Sequence, residues 1–202
     1  MPCKSDCDWR ICGFDSRRFT GDSICRAFPN HARAPADRET QFLIMSTPQV
    51  IGIDFGGTSV KLAVIEGSEL LTDVTRIPTQ EFDGAEPLIE AIVKKVWKLR
   101  QSFPQVGAIG IGVPGVVDIS KGVTYNLTNV KGWSSVPLRD LIFEKSGLPI
   151  AMDNDANCMA YAEFKYGAGQ GFRNVVCVTL GTGVGGGLIL NGELYRGRQH
   201  AA

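Results

Sequence analysis

The pattern of apolar and polar positions changes character at Met45. Residues 1–44 mix small, charged and proline residues with no helical or strand period, and Met45-Ser46-Thr47-Pro48-Gln49 then leads directly into an apolar run. The expectation is that residues 1–44 are a disordered or non-native extension, with Met45 as the true start. Val50–Phe55 is compact and rich in β-branched residues, which predicts a strand. Gly56-Gly57-Thr58 predicts a turn, Ser59–Ile65 a second strand, Glu66-Gly67-Ser68 another turn and Glu69–Ile77 a third strand, so an antiparallel meander. In Glu86–Arg100 the apolar residues Leu88, Ile89, Ile92, Val93, Val96 and Leu99 recur at helical spacing, with Pro87 suited to the first turn. Val106–Val113 carries almost no polar residue and reads as a central strand buried on both faces.

Pro114–Trp133 is polar, glycine-rich and irregular. A short helix is expected from Pro137 to Lys145, stopped by Gly147. Pro149–Met152 predicts a strand running into Asp153-Asn154-Asp155, followed by a helix over about 156–166. Asn174–Leu180 and Val184–Leu190 read as strands about the turn Gly181-Thr182-Gly183, and Asn191-Gly192 signals a hairpin. Shifting the sequence by 125 residues lays Gly56 on Gly181, Gly67 on Gly192 and Val64-Ile65 on Ile189-Leu190. A repeat of that length predicts two similar lobes: a first over 45–170, and the opening strands of a second over 171–202.

Composition narrows the function classes. Lys and Arg total 21 against 21 Asp and Glu, so charge gives no case for nucleic acid or an anionic membrane as partner. No segment approaches the roughly 18 apolar residues of a membrane span, and the N-terminus lacks a signal-peptide apolar run of about 7–15 residues; a cytoplasmic location is expected. Cys3, Cys7, Cys12 and Cys25 have no tight pair spacing, and a zinc knuckle with His31 is the weaker reading of them.

Four constellations carry chemistry. Asp54-Phe55-Gly56-Gly57-Thr58, with Lys61 after it, offers a two-glycine turn whose backbone can approach phosphate oxygens, a hydroxyl donor, and a strand-end carboxylate able to hold Mg²⁺ through water; an ordinary tight hairpin is the bland alternative. Leu180–Gly187 places five glycines within seven residues at the repeat-equivalent position, more than a hairpin needs, and reads as a second phosphate loop. Gly181–Gly186 and Gly110–Gly115 both fit G-x-G-x-x-G, but each runs into extended sequence instead of a helix, which excludes a dinucleotide fingerprint. Asn154-Asp155-Ala156-Asn157 sits at a strand-to-helix junction, where Asp155 is either a helix cap or a general base. Gly112-Val113-Pro114-Gly115, with Asn126 and Asn129, suits a loop that meets sugar hydroxyls.

Taken in order over residues 50–202, these motifs resemble the ROK family of sugar kinases and related repressors. The resemblance rests on Ile53–Thr58 with Lys61, Gly112–Gly115, Asn129–Trp133, Asn154–Asn157 and Thr179–Gly187; Tyr166–Gly169 and Gly192–Gly197 look most like bacterial glucokinases. It implies an α/β, actin-like ATPase (ribonuclease H-like) fold with a complete first lobe and the opening strands of a second. It implies ATP-dependent phosphorylation of a hexose, glucose first. Asp155 would be the catalytic base; Asn129, Asn154 and Gly115 would bind sugar. Asp54, Gly56, Gly57, Thr58 and Lys61 would serve ATP from one lobe and Gly181, Thr182 and Gly183 from the other, with Asp54 holding Mg²⁺ through water. The family's Gly-Glu-x-Gly-His motif and zinc site do not occur in these 202 residues, so the chain is expected to be an incomplete fragment of a homo-oligomeric protein. The alternatives are a sugar-responsive transcriptional regulator, a kinase for fructose, N-acetylmannosamine or allose, and a kinase using polyphosphate.

Overall fold

The computed structural model describes residues 22–27, 48–127, 130–180 and 183–197. Two compact units divide the chain, one of residues 36–155 and one that joins residues 1–35 to 156–200. The early cysteines Cys3, Cys7 and Cys12, and His31, lie outside the described residues.

The first strand along the chain, β1 (Asp22–Ala27), belongs to the second unit. In the unit of residues 36–155, β2 (Gln49–Phe55) and β3 (Ser59–Glu66) form the expected hairpin, with Asp54 paired to Lys61 and Phe55 to Val60. The third strand of the meander is broken in two. β4 (Glu69–Leu70) and β5 (Thr75–Pro78) both pair with β3, and between them the Val64 N–H donates to the Thr72 hydroxyl, so a side chain replaces a backbone rung.

After a single 3₁₀ turn at Thr79–Glu81 comes α1 (Ala85–Ser102), which buries Leu88, Ile89, Ile92, Val93 and Val96 as its period predicts. β6 (Val106–Val113) lies parallel to β2. It is buried on one face only, by Val106, Ile109, Ile111 and Val113; Ala108, Gly110 and Gly112 on the other are half-buried. The expectation of a strand buried on both faces treated glycines as apolar side chains, whereas a glycine carries none to bury.

A small hairpin, β7 (Val117–Asp118) and β8 (Val123–Thr124), interrupts the irregular stretch. α2 (Leu138–Ser146) ends at Gly147, whose φ of 70° gives the left-handed C-cap that glycine adopts without strain. β9 (Ile150–Asn154) then lies parallel to β6. The sheet order is β4-β3-β2-β6-β9, with β5 also on β3. One apolar core joins the buried faces of β2, β3, β6 and α1 to Leu138, Ile142 and Met152.

α3 (Asp155–Tyr166) follows β9 with no intervening loop. The units divide at 155/156, earlier than the lobe boundary expected near 170, because the body of α3 packs on the next sheet. There β10 (Val175–Leu180), β11 (Val184–Leu190) and β12 (Glu193–Tyr195) form an antiparallel run, and Ala160, Val175, Cys177 and Ile189 are fully buried together. A Cβ on Gly187 would stand 2.6 Å from Ala160 Cβ and 2.9 Å from Ala156 O, so β11 approaches α3 closely because Gly187 has no side chain.

The repeat is visible in both units. β10, β11 and β12 reproduce β2, β3 and β4, but the first turn of the second copy is one residue shorter. Phe55 pairs Val60 across four residues, while Leu180 pairs Val184 across three. The free edges are filled differently: β2 is flanked by the parallel β6, and β10 by the antiparallel β1. A strand at Asp22–Ala27 departs from the disordered alternative for residues 1–44 and does not bear on the non-native one. Backbone pairing to an open sheet edge needs no side-chain period, so the sequence gives no signal for it.

Candidate functional site

Three neighbouring strands, β2, β6 and β9, run in the same direction, and their carboxyl ends carry the motif residues. The register pairs Asp54 with Gly112, Gly112 with Asp153 and Val113 with Asn154. At about 4.8 Å between strands, Asp54 and Asp153 stand roughly 10 Å apart across Gly112. Ligands of parallel α/β sheets bind at such carboxyl ends, and Gly56-Gly57-Thr58, Pro114-Gly115 and Asn154-Asp155 all emerge there.

The first turn is built for close approach. The Gly56 N–H donates to Ser59 O at 3.0 Å, and a Cβ on Gly56 would lie 2.9 Å from that same oxygen. Glycine is therefore required for the turn to close. Gly57 and Thr58 are exposed, and their N–H groups have no acceptor among the described residues. The donors available to an anion are thus those of Gly57 and Thr58, not of Gly56. Lys61 Nζ lies 2.8 Å from Asp54 Oδ2, with the lysine side chain 14% exposed and the carboxylate 37%. This pair joins directly opposed residues of β2 and β3, so Lys61 orients Asp54.

The second loop is held from two sides. Gly115 has a φ of 76°, which favours glycine, and its carbonyl accepts the Asn154 Nδ2 N–H at 3.1 Å. Two expected sugar-binding residues thus meet, with Asn154 fixing the Gly115 loop. Further along, Trp133 is buried, donates its indole N–H to Thr124 Oγ1 at 2.9 Å and packs edge-on against Phe55, ring centroids 5.4 Å apart. Trp133 so fastens the loop that precedes it to the strand bearing Asp54. This coupling is not visible in the motif list; the alternation of β2 places Phe55 inward but does not name its partner. Asp118, on β7, accepts the Ser120 hydroxyl at 2.6 Å and the Lys121 N–H at 3.1 Å, and these bonds, the hydroxyl foremost, lower its pKa to about 2.

The two acids at the end of β9 differ. Asp153 is buried and accepts the Asn154 N–H at 2.8 Å. Asp155 is exposed and opens α3. Of the two, Asp155 is the exposed residue.

In the unit that contains β10 and β11, the glycine run serves packing more than a ligand. Gly187 accommodates α3, a Cβ on Gly185 would meet Thr179 Oγ1 at 2.6 Å, and one on Gly186 would meet Cys177 O at 3.1 Å. Gly183 has no atom within 4 Å of its Cβ position and is the described glycine of this run with no packing role. The excess of glycines read from the sequence as a phosphate signal is therefore explained in part by helix packing. Gly181, Thr182 and Asn129 lie outside the described residues. Both G-x-G-x-x-G matches run through strands, β6 and β11, and not into a helix, as expected. Among the described residues no group of His, Cys, Asp or Glu could hold a metal alone, and no helix is long and apolar enough to cross a membrane.

Comparison with known proteins follows the same residues. Glucokinase from Halalkalibacterium halodurans is 37% identical over 157 residues, 76% of this chain and 47% of that protein. N-acetyl-D-glucosamine kinase from Citrobacter koseri is 36% identical over 146 residues, 72% of this chain and 48% of that protein. The crystal structure of a ROK family glucokinase from Streptomyces griseus in complex with glucose and AMPPNP superimposes with a TM-score of 0.68 at 37% identity, covering 76% of this chain and 48% of that one. The chain thus spans about half the length of these relatives, and over that half it has the actin-like ATPase fold. The ROK family model matches residues 50–202, and the chain belongs to the ROK family.

Proposed function

We propose that the whole protein transfers the terminal phosphoryl group of ATP to a hexose, converting glucose to glucose 6-phosphate. The observation that carries this reading is the shared carboxyl edge of β2, β6 and β9, which gathers a phosphate-sized turn, a restrained Gly115 loop and an exposed aspartate. The glucokinase names of relatives at 37% identity support glucose, and a relative at 36% named for N-acetyl-D-glucosamine keeps the sugar open to test.

In this reading Gly57 and Thr58 offer N–H groups and a hydroxyl to the phosphates, joined in the second lobe by Gly181, Thr182 and Gly183. The residues present fit a magnesium–nucleotide. Asp54 is a strand-end carboxylate at half exposure, suited to hold Mg²⁺ through water, and Lys61 keeps it in place. Bound Mg²⁺ supplies charge neutralisation at the phosphates. Asn129, and the Gly115 loop held by Asn154, meet sugar hydroxyls. Asp155 accepts the proton of the 6-hydroxyl, and its backbone is anchored by β9 on one side and α3 on the other. Positioning supplies most of the remaining rate, as in phosphoryl transfer generally. The same reading has the protein cytoplasmic and homo-oligomeric, without nucleic-acid or membrane partners.

The test is a coupled assay on the protein at the full length its relatives have, with a panel of hexoses and with ATP or polyphosphate as donor. The proposal expects glucose with ATP to give the highest kcat/KM. A folded protein that binds sugar but phosphorylates none would replace it with the regulator reading.

A further inference from the structure

Thr79 lies outside every motif, yet its surroundings set it apart. It is 1% exposed, and its hydroxyl has no hydrogen-bond partner among the described residues. A hydroxyl buried in that way is destabilising, whereas valine would fill nearly the same volume without the penalty. Its position is specific: the Thr79 N–H donates to Thr58 O at 3.0 Å, one step beyond the Ser59–Pro78 pair that ends the β3–β5 ladder. Thr79 therefore lies beside Thr58, an exposed residue of the glycine turn. That single backbone bond sets the two residues side by side, although Thr79 already opens the 3₁₀ turn and lies beyond the ladder.

We propose that Thr79 is a positioning residue for the glycine turn, its buried hydroxyl held in reserve to bond the Thr58 hydroxyl when that turn closes on a phosphate-bearing ligand. The inference rests on the nucleotide reading of the turn given above. Thr58 is exposed, and among the described residues the Thr79 hydroxyl has no partner. While the Thr58 hydroxyl donates to a phosphate oxygen, its lone pairs remain to accept the Thr79 O–H. The bond would fix the rotamer of Thr58 and raise its affinity for the phosphate without Thr79 touching the ligand.

The two states make opposite demands on this side chain, which gives the test. Thr79→Val and Thr79→Ser are compared with wild type in the full-length protein, by urea unfolding without ligand and by calorimetric titration with Mg²⁺–ATP. Unliganded Thr79→Val is expected to be as stable as wild type or more so, and Thr79→Ser less stable through the lost methyl. Binding should rank the other way: Thr79→Val weakens Mg²⁺–ATP by several-fold to about tenfold, and Thr79→Ser stays within about twofold of wild type. In steady state the loss in Thr79→Val falls on the KM for ATP and not on the KM for sugar. Wild-type-like ATP binding by Thr79→Val overturns the proposal alone. Equal losses in both variants that track their stabilities overturn it in favour of a packing role. Absence of Mg²⁺–ATP binding by wild type overturns it together with the kinase reading.

Discussion

Gly187→Ala separates the two roles that a glycine-rich strand can have. The added Cβ would stand 2.6 Å from Ala160 Cβ, 2.9 Å from Ala156 O and 3.3 Å from Asn157 Cα, all on α3. Two of these three are backbone atoms, so no side-chain rotation relieves the contact and the strand or the helix must move. Overpacking of this kind costs about 1–3 kcal/mol, offset by about 0.4–1 kcal/mol from the lower entropy of the unfolded alanine chain. The net expectation is a loss of about 1–2 kcal/mol, or roughly 2–8 °C in Tm for a chain of this size. Gly107→Ala is the control, because its Cβ position has nothing within 4 Å, and it should be neutral or slightly stabilising. Combining Gly187→Ala with Ala160→Gly should show favourable coupling, since one clashing partner is removed, but incomplete recovery, because Ala156 O remains. Urea unfolding of wild type, the three single variants Gly187→Ala, Gly107→Ala and Ala160→Gly, and the double variant checks this. A Gly187→Ala protein as stable as wild type would refute the packing role of Gly187.

Other perturbations read other parts of the structure. Trp133→Phe keeps a ring against Phe55 but loses the buried bond to Thr124, and should cost about 1–3 kcal/mol in urea unfolding; a change under about 0.5 kcal/mol would mean that this anchor is not stabilising. Asp118 titrates at about 2 when folded, below its ordinary value near 4, so its contribution is present above about pH 4 and is lost as pH falls toward 2. The stability gap between wild type and Asp118→Asn should accordingly be smaller at pH 3 than at pH 7, and a gap that grows on acidification would contradict the cause assigned. A form starting at Met45 removes β1 from β10, and hydrogen exchange should then lose protection at Val175–Leu180 while Ile51–Phe55 is unchanged. Unaltered protection of β10 would return residues 1–44 to the dispensable extension that their composition suggests.

Much of this architecture was legible because the relevant signals are local. The α1 stripe, the Gly147 cap, the Asn191-Gly192 hairpin and the alternation of β2 each follow from a period or a turn residue that acts within a few positions. The 125-residue repeat was equally plain, since like turns recur with like strands. What could not be read depends on partners distant in sequence. Gly187 meets α3 only after folding, so a packing glycine and a phosphate glycine look alike in the sequence. The Asn154–Gly115 bond spans 39 residues and Phe55–Trp133 spans more, and no spacing rule joins them. The break between β4 and β5 turns on one threonine hydroxyl replacing a backbone rung, and β1 on an open edge that accepts any extended segment. Of the candidate site, the residues are proposed from their motifs, while the carboxyl edge at which Asp54, Gly115 and Asp155 end or follow their strands is given by the parallel registers of β2, β6 and β9.

The central claim is that Asp155 accepts the sugar's proton, and Asp155→Asn in the full-length protein tests it most directly. Asparagine keeps the size, an acceptor oxygen and the capacity to cap a helix about as well as aspartate, but cannot take up a proton. Steady-state kinetics with glucose and ATP should show kcat reduced by about 10²–10⁴-fold, equivalent to roughly 3–5 kcal/mol of barrier, with glucose affinity and thermal stability near wild type. A kcat within about threefold of wild type would contradict the account, leave Asp155 as a helix-terminal residue and move the search for the base to Asp153.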